Sequence, residues 1–385
     1  MQKGLLNLSH ISAGFTAVLV GYTSSVVIII QAATAAGASP QQIESWLLAL
    51  GLAMGLSSIL FSWHYKKPVL TAWSTPGAAM LVTAVGQYQM PVIIGAFLIS
   101  GLLIVLTGMI SPLSRALANI PSQLGTAMLG AILLPFCINA FTPVMETPLI
   151  FGIMLTAFLI GKRLAPKYAM AILLLTGIIC SLTSGVFDNQ LIEMTLATPQ
   201  WVTPDFNLGA MINLSVPLYI ITMLSQNLPG VAMMRSHSYE VPVKPILIGT
   251  GVTNILFAPF GGFSVNLAAI SAAICMNKDV DEDPDTRYRA VLWAGLFYLI
   301  AGLWATTVVA VFLALPNEVS QILAGLALLG TLMMCFQTAF NEEHFREPAL
   351  YTFLITLSGV TVFGVSSVVW GLLAGLLHIQ LIGKK

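Results

Sequence analysis

Two short polar interruptions break a chain that is apolar almost throughout. Trp73, Ser74, Thr75, Pro76 and Gly77 stand together in TAWSTPGAAM (71–80), and Phe263, Ser264 and Asn266 stand in GFSVNLAA (262–269). A third cluster, Ser225-Gln226-Asn227, comes just before Pro229 and Gly230. Hydroxyls and amides donate and accept hydrogen bonds without carrying charge, so these residues can recognise a polar group. They are poorly equipped to react with one. A serine nucleophile needs a neighbouring base. No Asp, Glu, Lys or Arg lies in the core of any apolar segment, and His10, His64, His237, His344 and His378 fall at segment ends or in loops. The residue types favour binding over catalysis, and no enzyme activity is expected.

The elements that must position these groups are membrane helices. Of 385 residues, 57% are hydrophobic and 8% charged, and mean hydropathy is +0.91. A soluble domain carries about 25% charged residues. A spanning helix takes roughly 20 apolar residues, and the apolar blocks divide into about fourteen. Their approximate limits are 11–36, 41–62, 68–85, 91–110, 121–141, 145–161, 167–185, 209–233, 243–258, 259–276, 288–314, 316–339, 348–364 and 366–383. The first block lacks a small-residue cleavage site and reads as a retained helix, not a signal peptide.

With the N-terminus inside, every Lys and Arg falls on the cytoplasmic side, from Lys3, Lys66 and Lys67 through Arg115, Lys162, Arg163 and Lys167 to Lys384 and Lys385. The outer loops carry only acids: Glu44, Glu146, Asp188, Glu193, Asp205 and Glu318. This positive-inside arrangement puts both termini in the cytoplasm. The formal net charge is zero, and basic residues that set topology leave no nucleic-acid footprint.

Cys137, Cys180, Cys275 and Cys335 sit inside apolar blocks without CxxC spacing, as packing residues. GLAMG (51–55) and GLLAG (371–375) read as close helix packing, which leaves homodimerisation open. KDVDEDPDTRYR (278–289) alternates acids like a calcium loop, but Pro284 comes where the turn glycine and distal glutamate are needed. No metal or cofactor is expected, and neither a Walker motif nor GxGxxG is present.

The longest polar outer stretch, 186–208, has seven spans on either side, so any repeat must be inverted, a recurring plan of secondary transporters. Residues 1–190 and 205–385 are read as the two halves. AWSTPGAA (72–79) aligns with GFSVNLAA (262–269), Trp73 on Phe263 and Ser74 on Ser264. IPSQLGTAMLGAILL (120–134) aligns with LPNEVSQILAGLALL (315–329), Pro121 on Pro316 and Gly130 on Gly325.

Spans three and ten are then a broken pair. Val69 to Trp73 suits a short extended piece, Ser74 or Thr75 a helix cap, and Pro76 the first turn, where a missing N–H costs nothing. In span ten, Ser264 is expected to cap a helix running through Asn266 to Met276. Two half-helices starting at mid-membrane aim free N–H groups and positive dipole ends at one place, a site for an anion. The alternative is that Pro and Gly merely kink two helices. With no cationic side chain nearby, the site suits a monovalent, partly apolar anion. Phe15, Val18, Tyr22 and Ser25 form a stripe on span one, while Thr222, Ser225 and Gln226 lie on its repeat partner, span eight.

The runs GFTAVLVGYTSSVVIIIQAA, PVLTAWSTPGAAML, PLYIITMLSQNLPGVAMM, FAPFGGFSVNLAAISAAIC and FYLIAGLW are long, in order and cover nearly the whole chain. They resemble the benzoate/proton symporter family of BenE type, which is similar in architecture to nucleobase/proton symporters and sulfate-permease-type anion transporters. The resemblance implies an all-α integral membrane protein of the bacterial inner membrane, with about fourteen spans in a seven-plus-seven inverted repeat. It implies a core (11–110 and 209–314) that rocks against a gate (121–185 and 316–383).

Substrate would lie between half-helices three and ten, facing Trp73, Ser74, Thr75, Phe263, Ser264, Asn266 and the Ser225-Gln226-Asn227 turn. Phe15 or Tyr22 would pack on its ring. A benzoate-like aromatic carboxylate would move inward with protons. Nucleobase symporters carry acids in spans eight and ten where this chain has amides and hydroxyls. That departure fits a ligand bringing its own negative charge and leaves the proton route open. An anion exchanger or channel-like transporter on the same fold is the alternative.

Overall fold

The computed structural model describes residues 7–110, 112, 120–187, 195–240 and 242–382. Lys3, Arg115, Asp188, Glu193, Lys384 and Lys385, used above to orient the chain, lie outside the described residues. Helices dominate, because apolar sequence in a bilayer must satisfy its backbone hydrogen bonds within the segment. In chain order they begin with α1 (Leu8–Ala35), α2 (Pro40–Tyr65), α3 (Thr75–Ala84), α4 (Met90–Met109), α5 (Ser122–Asn139), α6 (Pro148–Leu164) and α7 (Ala169–Thr183). There follow α8 (Leu208–Ser236), α9 (Val243–Phe257), α10 (Ile270–Met276), α11 (Tyr288–Leu303), α12 (Ala305–Leu313), α13 (Asn317–Phe340), α14 (Glu343–Ser358) and α15 (Ser367–Ile382). Among the described residues, eight helical segments are long and apolar enough to cross a membrane, and α11 with α12, bent by 62°, make a ninth. The protein is a multi-pass membrane protein.

Glycines set the closest helix contacts. A Cβ on Gly51 of α2 would stand 2.6 Å from the Gly302 Cα of α11, and one on Gly55 would meet the Gly295 carbonyl at 2.7 Å. The GLAMG spacing is thus a packing device between α2 and α11. Around it, α1 to α4 pack with α9 and α11, while α5 to α7 pack with α13 to α15.

The two polar interruptions leave the helical path. Thr71–Ala72 form β1 and Asn266–Leu267 form β2, paired antiparallel with Thr71 opposite Leu267 and Ala72 opposite Asn266. Ser74 caps α3 as its sequence foretells: its Oγ accepts from the Gly77 N–H at 3.0 Å, and Pro76 lies in the first turn.

The second break corrects the expectation. No helix starts at Ser264, which takes a φ of +45°. The helix begins only at Ile270, without a side-chain cap. The cause is tertiary. Pairing with β1 and a hydrogen bond from the Leu267 N–H to Asn227 Oδ1 (3.1 Å) hold the backbone extended past Asn266.

Candidate functional site

Extended backbone at membrane depth survives only if other protein groups satisfy it, and here side chains of α2, α8 and α9 do so. Ser58 Oγ accepts from the Thr71 N–H at 3.0 Å, and Ser62 Oγ from the Val69 N–H at 3.1 Å. Thr71 Oγ1 donates to the Met54 carbonyl at 3.1 Å. On the other strand, Asn254 grips Val265 twice: Oδ1 accepts from its N–H at 2.6 Å, and Nδ2 donates to its carbonyl at 3.0 Å. The strand pair is fixed from both sides.

Beside it lies a cavity of about 180 Å³. Gly21, Ser24 and Ser25 of α1, Trp73, Thr75 and Pro76, and Ser225, Gln226 and Pro229 of α8 form one side. Ala268 to Ser271 and Tyr298 of α11 continue it, and Leu129 of α5 with Leu328, Thr331 and Met334 of α13 close the other side. Among the described residues, no Asp, Glu, Lys, Arg or His lines it. Its indole is held in place: Trp73 Nε1 donates to Ser25 Oγ at 2.8 Å, Ser25 donates on to the Gly21 carbonyl at 2.8 Å, and the Tyr22 ring packs on Trp73 at 5.0 Å.

Of the residues singled out from sequence, the structure brings Trp73, Thr75, Ser225 and Gln226 to the cavity wall. Ser74 is fully buried, and its hydroxyl serves the α3 cap. Asn227 lies behind the wall, holding Leu267. Phe263 packs with Trp46 and Phe97, away from the cavity. Ser264 and Asn266 also lie behind it, Asn266 Nδ2 donating to the Ser264 carbonyl at 2.7 Å. Tyr22 backs Trp73.

Phe15 is a correction: it is 49% exposed and packs edge-on against Phe297. Phe15 lies ten residues, about 15 Å of helix rise, before Ser25, so sharing a stripe does not bring it to the level of the cavity. Sequence reasoning missed Ser271, Tyr298, Thr331 and the α5 and α13 leucines. Ser271 would have emerged from a correct start for α10, but a lone Tyr or Thr in an apolar span gives no pattern.

A second, larger cavity of about 610 Å³ lies farther along the same two helices, lined by Ser9, Ser12 and Thr16 of α1 and by Ala273, Ile274 and Asn277 at the end of α10. Lys167 and Tyr168, between α6 and α7, face it. His10, placed by sequence at a span end, is fully buried there, with Nε2 3.2 Å from Asp281 Oδ2.

Residues 4–381 match the family model described as benzoate membrane transport protein, BenE. The chain belongs to the BenE family. Within reach of this family match, an Escherichia coli (strain K12) protein named inner membrane protein YdcO is 42% identical over 363 residues, covering 94% of this chain and 93% of the relative. A benzoate membrane transport protein of Acinetobacter baylyi is 36% identical over 371 residues, covering 96% and 94%. The transmembrane domain of a cyanobacterium bicarbonate transporter, BicA, is similar in structure with a TM-score of 0.64 at 15% identity, covering 96% of this chain and 97% of that one. Murine Slc26a9, an anion transporter solved in an inward-facing state, gives 0.63 at 13% identity, covering 98% of this chain and 68% of that one. At such identities the likeness speaks for the fold. This BenE family member is therefore a membrane transporter, not an enzyme, on a fold shared with anion transporters.

Proposed function

We propose that the protein imports benzoate or a related one-ring aromatic carboxylate together with a proton across a bacterial inner membrane, with both termini cytoplasmic. The observation that carries this reading is the cavity beside the strand pair, where a few hydroxyls and an amide stand among apolar side chains with no charged residue among the described ones. Pockets for drug-sized ligands run about 300–1,000 Å³, so a cavity of about 180 Å³ suits a single ring. The carboxylate would take hydrogen bonds from Thr75, Gln226 and Ser271 and from the uncapped first turn of α10, with Ser225, whose hydroxyl donates to the Ile221 carbonyl, beside them. Trp73 would pack on the ring, with Leu129 and Leu328 opposite.

The names of the Acinetobacter and Escherichia coli relatives support benzoate as cargo and the inner membrane as the place. About fourteen spans in two inverted halves fit the antiparallel pairing of the two breaks. The helix groupings fit a core (11–110 and 209–314) and a gate (121–185 and 316–383) that slide past one another. The larger cavity, beside Lys167, supports reading this arrangement as inward-facing.

The test is uptake of radiolabelled benzoate into proteoliposomes under an imposed pH gradient. Uptake indifferent to the gradient rejects proton symport. Failure of unlabelled benzoate to compete with an accepted substrate rejects the substrate class. A second reading, anion exchange, is favoured by one observation: among the described residues no carboxylate or histidine lines the cavity to carry a proton. Acceleration of flux by substrate on the trans side would select it.

A further inference from the structure

At the end of the molecule opposite the large cavity, one buried carboxamide joins the two helix groups. Asn213 lies on α8 and is 5% exposed. Its Nδ2 donates to the Gly364 carbonyl at 2.6 Å, and its Oδ1 accepts from the Ser366 N–H at 2.7 Å. Gly364 and Ser366 belong to the turn between α14 and α15, pinned by the Val362–Val365 bridge. The same Nδ2 lies 3.2 Å from the Tyr88 hydroxyl, in the connection from α3 to α4. Both ends of the carboxamide bond the turn, so α8 reaches across to the segment that joins α14 and α15.

The backbone of α8 is adapted to this. It widens into π-helical turns at Met211–Ser215 and Met223–Asn227. Such bulges insert a residue and re-aim side chains, and they collect at functional positions. The second turn presents Ser225 and Gln226 to the cavity. The first presents Asn213. With the larger cavity at the other end, a contact between the two helix groups here is placed to close this side.

We propose that Asn213 is the outer gating residue of the transport cycle: its carboxamide holds the α14–α15 turn against α8 in the inward-facing state and must let go for the outer side to open. The proposal rests on the alternating-access reading above. Asn213 touches no substrate; it is a positioning residue that sets which side the cavity faces. Deleting its bonds should favour the outward-facing state by a factor on the order of ten or more, the scale of two ordinary net hydrogen bonds.

The experiment places a reporter thiol on the cavity wall, Thr331→Cys, and measures its modification by a membrane-impermeant maleimide in right-side-out and in inside-out vesicles, without substrate. Adding Asn213→Ala should raise the outside rate about tenfold or more and lower the inside rate. Adding Asn213→Asp, which keeps the acceptor for Ser366 but sets a carboxylate against the Gly364 carbonyl, should shift both rates the same way and at least as far. Loosening of the fold alone would raise both rates, and that result, or unchanged rates, overturns the proposal. If Asn213→Ala does not fold, the response is read from Asn213→Asp and Asn213→Ser, and a side-independent response from both overturns it equally. The readout needs no cargo, so failure of benzoate uptake would reject the substrate assignment while leaving the gating result to be judged by itself.

Discussion

Asn254 of α9 is the side chain on which the second strand most depends, and its removal should be costly. It is 2% exposed, and its two hydrogen bonds, 2.6 and 3.0 Å, satisfy both backbone groups of Val265. Asn254→Leu fills a similar volume but leaves that N–H and carbonyl buried and unpaired. Each such group costs about 1–3 kcal/mol, so the expected loss of stability is about 2–6 kcal/mol. No bilayer water replaces the lost partners. The control is one residue away. Thr253→Val removes only a bond from Oγ1 to the Gly249 carbonyl of its own helix, 2.8 Å long, and should cost no more than about 0.5 kcal/mol. Unfolding of the purified variants by graded SDS in mixed micelles measures the difference, with benzoate binding followed in parallel. Binding by Asn254→Leu should weaken more than about tenfold, because the strand that leads into α10 loses one of its two side-chain clamps. Equal stability of the two variants, within about 0.5 kcal/mol, would refute the claim that side-chain clamps hold the strand pair.

Trp73→Phe keeps an aromatic wall but loses the 2.8 Å bond to Ser25, so benzoate affinity should drop about two- to tenfold in a direct binding titration. Thr75→Val removes a hydroxyl offered to the carboxylate, and hydrogen bonds to charged groups are worth about 1.5–3 kcal/mol; affinity should fall at least about tenfold, with Thr75→Ser retaining most of it. Gly51→Ala forces a Cβ within 2.6 Å of the Gly302 Cα, so α2 and α11 must part, and thermal stability in detergent should fall by about 1–3 kcal/mol.

The first break was legible because its chemistry is local: Ser74 caps the helix that Pro76 helps to start, three residues from donor to acceptor. The second was legible only as a break. Its helix begins where Asn227, 40 residues away in sequence, releases the strand, and no reading of 262–276 alone contains that contact. The same limit explains why Ser264 and Asn266 were expected at the cavity and lie behind it. Helical stripes carried Ser25 to the neighbourhood of Trp73 but misled at Phe15, which shares that side of α1 but lies about 15 Å along it. The far wall, contributed by Leu129, Leu328 and Thr331, resembles any other membrane helix face until the two groups of helices are brought together.

The neutrality of the cavity also bears on coupling. On the proposed reading, a benzoate anion held by hydroxyls, an amide and backbone N–H groups would keep its full charge, since no cationic side chain among the described residues lines the wall. Carried alone into a cell with a negative interior, it would move against about 2.3 kcal/mol for every 100 mV of membrane potential. A proton bound in the same step removes both that opposition and the penalty of an uncompensated charge in a low-dielectric site. One-to-one symport should therefore be electroneutral. In proteoliposomes, uptake driven by a pH gradient should be unchanged when a potassium diffusion potential of either sign is imposed with valinomycin. Uptake that rises with an inside-positive potential in the absence of a pH gradient would show the anion travelling alone, and would overturn this account of why the cavity needs no counter-charge.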